Sequence, residues 1–201
     1  MQPPARCHAR MTHFTHQLAQ MDDLESLRAL MKRAINQLQD DFLTPEQVIA
    51  SQHVMGLDTQ LIRDRTYFML MIDGVLAGCG GWSWRATLYG GDASVVTREP
   101  EILDPTKDAA RVRAMYTDPG FVRRGVGRMI LTLCEDAARA HGFSRAEMMA
   151  TMAGVPLYAA CGYAPIEHVI SKPINGVTVP LIRMGKALSI SPPNTAARGY
   201  R

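Results

Sequence analysis

Met115 to Gly142 reads M-Y-T-D-P-G-F-V-R-R-G-V-G-R-M-I-L-T-L-C-E-D-A-A-R-A-H-G, and this stretch decides the fold. An apolar run ends at Thr117, the chain turns at Asp118-Pro119-Gly120, and an amphipathic segment runs on to His141-Gly142. A strand that feeds a glycine-rich turn and opens a helix is an anion site, because the first helical N–H groups have no partner inside the helix. Gly125 and Gly127 let backbone approach a ligand closely. Arg123, Arg124 and Arg128 stand beside them and can fork onto phosphate oxygens. Arginine at a helix start opposes the helix dipole, and a bound anion supplies a reason for three of them.

The spacing narrows the choice. It is not G-x-x-x-x-G-K-[ST], and a third glycine of G-x-G-x-x-G would fall on Ile130, so a P-loop and a dinucleotide fingerprint are both excluded. The stretch resembles the acetyl-CoA loop of the GCN5-related N-acetyltransferases (GNAT), which read [Q/R]-x-x-G-x-[G/A] between a fourth strand and a third helix. Gly125 and Gly127 match the small positions, and Val122 stands at the [Q/R] position. The resemblance implies acetyl-CoA as cosubstrate, with its pyrophosphate held by Val122, Arg123, Arg124, Gly125, Val126, Gly127 and Arg128. It also implies that pantetheine pairs with the splayed strand end Met115, Tyr116 and Thr117, where a bulge would free one N–H for the thioester oxygen.

A second landmark follows. Pro156-Leu157-Tyr158-Ala159-Ala160-Cys161-Gly162-Tyr163 is similar to the family's F-Y-x-x-x-G-F, whose tyrosine protonates the departing sulfur. Tyr158 takes that place as the catalytic acid. A phenol of pKa about 10 is still protonated at neutral pH, where a thiol of about 8.5 is a fair leaving group. The competing role is an aromatic packed under the sheet with its hydroxyl on a carbonyl. The family often has Asn seven residues before this tyrosine, and here that position is Thr151. Arg111 to Met115 carries no carboxylate where some members place a base; Glu101, Asp104 or a water chain could take the amine proton, and the plainer role of each carboxylate is a solvated loop charge.

Outward from these landmarks the chain reads as one α/β (α+β) domain with a mixed, mostly antiparallel sheet flanked by helices. The expected order is β–α–α–(short α)–β–β–β–α–β–α–β–β over residues 11–188, with a mobile tail over 1–10 and a disordered one over 189–201. Met11 to Leu18 is an edge strand. Leu24, Leu27, Leu30, Met31, Ala34, Ile35 and Leu38 make a helical stripe, with Asp22 and Asp23 at its start. Thr44-Pro45-Glu46-Gln47 is a capping box with proline at the first helical position. A short helix starts from Asp58. Asp73-Gly74 is a hairpin turn between Thr66–Ile72 and Val75–Trp84. Gly78, Gly80 and Gly81 in the returning strand signal a bulge or a close backbone approach. Met129, Ile130, Leu133, Cys134, Ala137 and Ala138 are the apolar positions of the helix after the loop. Tyr163–Ile170 and Val177–Lys186 form a last hairpin around Asn175-Gly176.

Composition sets bounds. The 201 residues are 47% apolar with a net charge of +3, enough for a core and too little charge to point to nucleic acid. No apolar run reaches the ~18 residues a bilayer needs, and Met1 to Arg10 has no apolar signal region. Cys7, Cys79, Cys134 and Cys161 form no C-x-x-C, so reduced thiols in a cytoplasmic protein are expected. His13 and His16 would point to opposite faces of a strand, and no metal site is expected. Gly90 to Asp108 is a long acidic loop holding Asp92, Glu99, Glu101, Asp104 and Asp108 against Arg98 and Lys107, a hint of a cationic acceptor. Trp82 and Trp84 share one strand face and suit core or dimer packing. With the terminal hairpin they lead us to expect a homodimer.

Three function classes compete. One is an N-acetyltransferase that moves acetyl from acetyl-CoA to an amine of a small molecule or peptide by direct attack. Another is a non-catalytic acyl-CoA-binding or regulatory module on the same fold. A nucleotide- or phosphate-binding protein of another class is a third reading.

Overall fold

The computed structural model describes residues 13–94 and 101–188. The two tails, Cys7, Arg98 and Glu99 lie outside the described residues. Strand β1 (Phe14–Leu18) leads through a short turn into helix α1 (Leu24–Gln37), α2 (Pro45–Val54) and α3 (Thr59–Arg63). Strands β2 (Tyr67–Ile72), β3 (Val75–Ser83) and β4 (Ala110–Thr117) precede α4 (Val126–Ala140). Then come β5 (Arg145–Thr151), α5 (Val155–Ala160), β6 (Ala164–Ile170) and β7 (Pro180–Ala187). This is the expected element order.

One seven-stranded sheet runs β1-β2-β3-β4-β5-β7-β6. Every neighbouring pair is antiparallel except β4 with β5. Period-two alternation, switched in phase by the bulges at Leu76–Gly78 of β3 and Ala114–Met115 of β4, sends the two faces of the sheet to different partners. Tyr67, Met69, Cys79 and Tyr116 face Leu27, Leu30, Met31, Ala34 and Ile35 of α1. Leu70, Ile72, Ala77 and Val112 face Val126, Ile130, Leu131, Cys134 and Ala138 of α4. A third cluster joins Val48 and Val54 of α2 to Val179 and Leu181 near β7.

Local chemistry explains the boundaries. Thr44 Oγ1 accepts from Gln47 N at 3.3 Å, and Thr44 N donates to Gln47 Oε1 at 3.1 Å. Asp58 caps α3 by accepting from Gln60 N at 3.0 Å. Asp73 and Gly74 both have positive φ, 50° and 81°, as a two-residue hairpin of this hand requires. Asp23 stands at the N-cap of α1 as expected, but its carboxylate does not cap that helix. Asp23 reaches back to accept from Gln20 N at 2.8 Å and closes a short 3₁₀ turn over Met21–Asp23 instead of capping forward.

The stripe of α4 is rotated from the expected one. Leu131 and Glu135 are buried, while Met129 is 39% exposed. Glu135 goes inward because Lys186 Nζ of β7 meets its two oxygens at 2.9 and 2.8 Å, which neutralises a charge that burial alone would penalise. Gly78 and Gly80 resolve as close approaches of α4. A Cβ on Gly78 would lie 2.4 Å from Val126 Cγ1, and one on Gly80 would lie 2.7 Å from Ile130 Cγ2. Trp82 is buried, with its ring 4.8 Å from His141 and in edge contact with Phe143. It belongs to the core and contributes nothing to an exposed apolar face.

Candidate active site

The site starts at a defect in the sheet. β4 and β5 pair only at Ala110↔Ala146 and Arg111↔Glu147, and β5 continues along β7 to Thr151. From Val112 onward β4 has no ladder on that side, so the two strands part and open a cleft. The expected bulge is present at the mouth of the split. Cys79 pairs with Tyr116 and Gly81 with Arg113, so Ala114 and Met115 together stand opposite Gly80. Ala114 has φ +51°, a conformation that L-residues with side chains rarely adopt.

The bulge is held from three sides. The Tyr67 hydroxyl donates to the Ala114 carbonyl at 2.7 Å. The Tyr116 hydroxyl accepts from Gly56 N at 2.9 Å. Arg113 forms an ion pair with Asp58 at 2.6 Å, both side chains under 5% exposed, and donates to Gly90 O at 2.7 Å.

Beyond Thr117 the chain turns as the sequence suggests. Asp118 Oδ1 accepts from Gly120 N at 2.9 Å, and Asp118 Oδ2 accepts from Arg33 Nε and Nη2 at 2.9 and 2.6 Å. The turn is thereby tied to α1. Gly125 caps α4 with φ +84°, and Arg123 also has positive φ, +61°. Nothing lies within 4 Å of where a Gly125 Cβ would sit, so the space in front of the helix start is open. Arg123, Arg124 and Arg128 are exposed, and the Arg124 guanidinium lies 5.2 Å from the centre of the Phe121 ring. Gly127 serves packing, because its Cβ would come within 2.6 Å of Leu157 Cδ2 on α5.

α5 delivers Tyr158. Gly154 makes room for it, since a Cβ there would lie 2.6 Å from Tyr158 Cε2. The ring meets Tyr163 edge-on at 6.3 Å. Its hydroxyl has no hydrogen-bond partner among the described residues, so the expected rival, a hydroxyl satisfied by a carbonyl, is not what the fold builds. Burial pushes the Tyr158 phenol above its ordinary pKa, and it stays a proton donor through neutral pH.

A cleft of about 770 Å³ brings these pieces together. Met115, Tyr116, Thr117, Val122, Arg123, Gly125, Val126, Gly127, Arg128 and Tyr158 all line it, as does Thr151; of the residues expected to hold the cosubstrate, Arg124 alone does not. The far end is walled by Gln39, Phe42, Met55, Leu88 and Tyr89, none of which the sequence singled out. Glu101 and Asp104 are not on the wall. Asp104 is instead occupied by the backbone N–H and hydroxyl of Thr106 at 2.9 and 2.7 Å and by Lys107. Neither is placed to take a proton inside the cleft.

The family model described as "Acetyltransferase (GNAT) family" matches residues 29–163, and the chain belongs to that family. No curated protein matches the chain by sequence. Solved structures share the fold at low identity. A GCN5-related N-acetyltransferase from Rhodopseudomonas palustris is 20% identical with a TM-score of 0.62, covering 88% of this chain and 96% of its own. The ribosomal-protein-S18-alanine N-acetyltransferase of Escherichia coli is 17% identical with a TM-score of 0.54, covering 90% and 98%. A putative acetyltransferase from Salmonella typhimurium, solved with its cofactor acetyl-CoA, is 16% identical with a TM-score of 0.58, covering 92% and 99%.

Proposed function

We propose that the protein transfers the acetyl group of acetyl-CoA to an amine of a small molecule or peptide by direct attack. The observation that carries this reading is the open β4–β5 split with an unpartnered Tyr158 hydroxyl on its wall. The residues present suit the cosubstrate. Open space at a helix N-terminus beside exposed arginines suits a pyrophosphate, and a strand edge without a ladder suits a pantetheine arm. Acetyl-CoA supplies the activated acyl group.

The chain's own residues supply the rest. The free backbone edge of Met115 to Thr117 orients the arm. The bulge offers an N–H to the thioester oxygen, where negative charge gathers as the amine attacks. Tyr158 gives its proton to the sulfur as the C–S bond breaks and the C–N bond forms. The amine gives up a proton to water, since neither Glu101 nor Asp104 reaches the cleft. Phe42, Met55, Leu88 and Tyr89 accommodate the apolar part of the acceptor. The Escherichia coli neighbour is named for acetylating an alanine, so peptide α-amines belong in the acceptor panel beside small amines.

The test is thiol release from acetyl-CoA with a panel of peptide α-amines, alkyl amines and aryl amines. Amine-dependent release with a matching gain of acetyl mass on the amine is expected. Tight acetyl-CoA binding without transfer to any class would assign the chain to the non-catalytic binding modules.

A further inference from the structure

We propose that Tyr67, on β2 and outside the cleft wall, is a positioning residue for the transfer. Its hydroxyl holds the bulge that aims the β4 backbone at the thioester. The proposal rests on the acetyl-transfer reading above.

Four observations converge. The Tyr67 hydroxyl donates to the Ala114 carbonyl at 2.7 Å, and this is its one hydrogen bond of ordinary geometry. Tyr67 is 0% exposed, so water cannot take over that role. Ala114 sits at φ +51°, which costs a residue with a Cβ and persists only where surroundings impose it. The sheet makes special room for the ring, because a Cβ on Gly81 of β3 would lie 2.7 Å from Tyr67 Cδ2. The bulge residues themselves face the opposite strand at Gly80 and the cleft on the other side. Through the Ala114 carbonyl, the hydroxyl fixes the peptide plane whose other end is the Met115 N–H. Rotation of that plane would move the N–H off the thioester oxygen without disturbing the phosphate loop, which lies past Thr117.

Tyr67→Phe keeps the ring and removes this bond together with the hydroxyl's contact to the buried Cys79 thiol, which does not touch the bulge backbone. We expect kcat to fall about 10- to 100-fold, less than the roughly 10²–10³-fold cost of removing an oxyanion donor outright because the N–H is misaligned and not lost, while KM for acetyl-CoA and calorimetric affinity for CoA stay within twofold. A bond that served stability only would lower the melting temperature and leave kcat per folded molecule unchanged, and that result overturns the proposal. The second arm relieves the strain. Glycine takes positive φ without penalty, so in an Ala114→Gly background the same Tyr67→Phe change should cost kcat only several-fold. An equal loss in both backgrounds would overturn the link between hydroxyl and bulge. Should Tyr67→Phe alone fail to fold, Ala114→Gly and Tyr67→Phe/Ala114→Gly are compared directly, and identical kcat values overturn the proposal. Absence of turnover in the unmodified protein removes the acetyl-transfer reading and this one with it. Turnover that survives Tyr67→Phe removes this one alone.

Discussion

At the scale of single residues, Tyr158 carries the sharpest expectation. Its ring is packed against the main core while its hydroxyl is left without a partner on the cleft wall, so removing the oxygen breaks no protein hydrogen bond. Tyr158→Phe should leave the melting temperature nearly unchanged and acetyl-CoA affinity intact. Turnover should fall about 10²–10⁴-fold, the usual share of one general acid. Steady-state kinetics beside a thermal melt of the same variant check both halves. This tyrosine was legible in the sequence because the L-Y-x-x-x-G-Y spacing marks it. Tyr67 was not. It reads as one more aromatic in a strand, and its role depends on a carbonyl 47 positions away. Arg33 and Asp118 were hidden for the same reason, since a single chain does not show which exposed charges meet across the fold.

At the scale of elements, the loop and helix α4 divide the work between two glycines that look equivalent in sequence. Gly125 has open space around it and a positive φ, whereas Gly127 is pressed against Leu157. Gly125→Val should therefore act through the backbone. An αL conformation costs an L-residue about 1–2 kcal/mol, and the branched side chain would enter the space in front of the helix. We expect CoA affinity to weaken more than tenfold with the fold retained, and calorimetry on the two proteins decides it. The hairpins, the capping box of α2 and the short helices were legible because turn and cap residues act within a few positions. The face of α4 was misjudged because its inward Glu135 is neutralised by Lys186, a partner 51 positions away that no helical period reveals. The glycines of β3 were correctly singled out, yet only the packed structure shows that Gly78 and Gly80 admit α4 and that Gly81 admits Tyr67.

At the scale of the whole molecule, the fold order was readable because hydrophobic period changes at each boundary, while the far wall of the cleft was not. Gln39, Phe42, Met55, Leu88 and Tyr89 come from separate segments and share no motif. Buried phenols and a buried thiol set a pH limit. Burial raises the phenols of Tyr67, Tyr116, Tyr158 and Tyr163 above 10.0 and pushes the Cys79 thiol from 9.0 up to about 12. The unfolded chain releases those protons first, so stability holds below about pH 9 and should fall steadily as pH rises past 9 to 10. Denaturant melts at pH 7, 9 and 10.5 read this directly, and a flat profile would contradict it. The edge strand β6 leaves Ile166 53% and Ile170 71% exposed, and on this we base the proposal of a homodimer, though without Trp82 as part of its surface. Light scattering at tens of micromolar should give a dimer mass, and a monomer mass would reject it. The most direct measurement of all is a crystal structure with acetyl-CoA bound. The account predicts pyrophosphate at the N-terminus of α4, the arm along Met115 to Thr117, and the thioester sulfur roughly 3–3.5 Å from the Tyr158 hydroxyl. A cosubstrate seated elsewhere, or a sulfur out of that hydroxyl's reach, would contradict it.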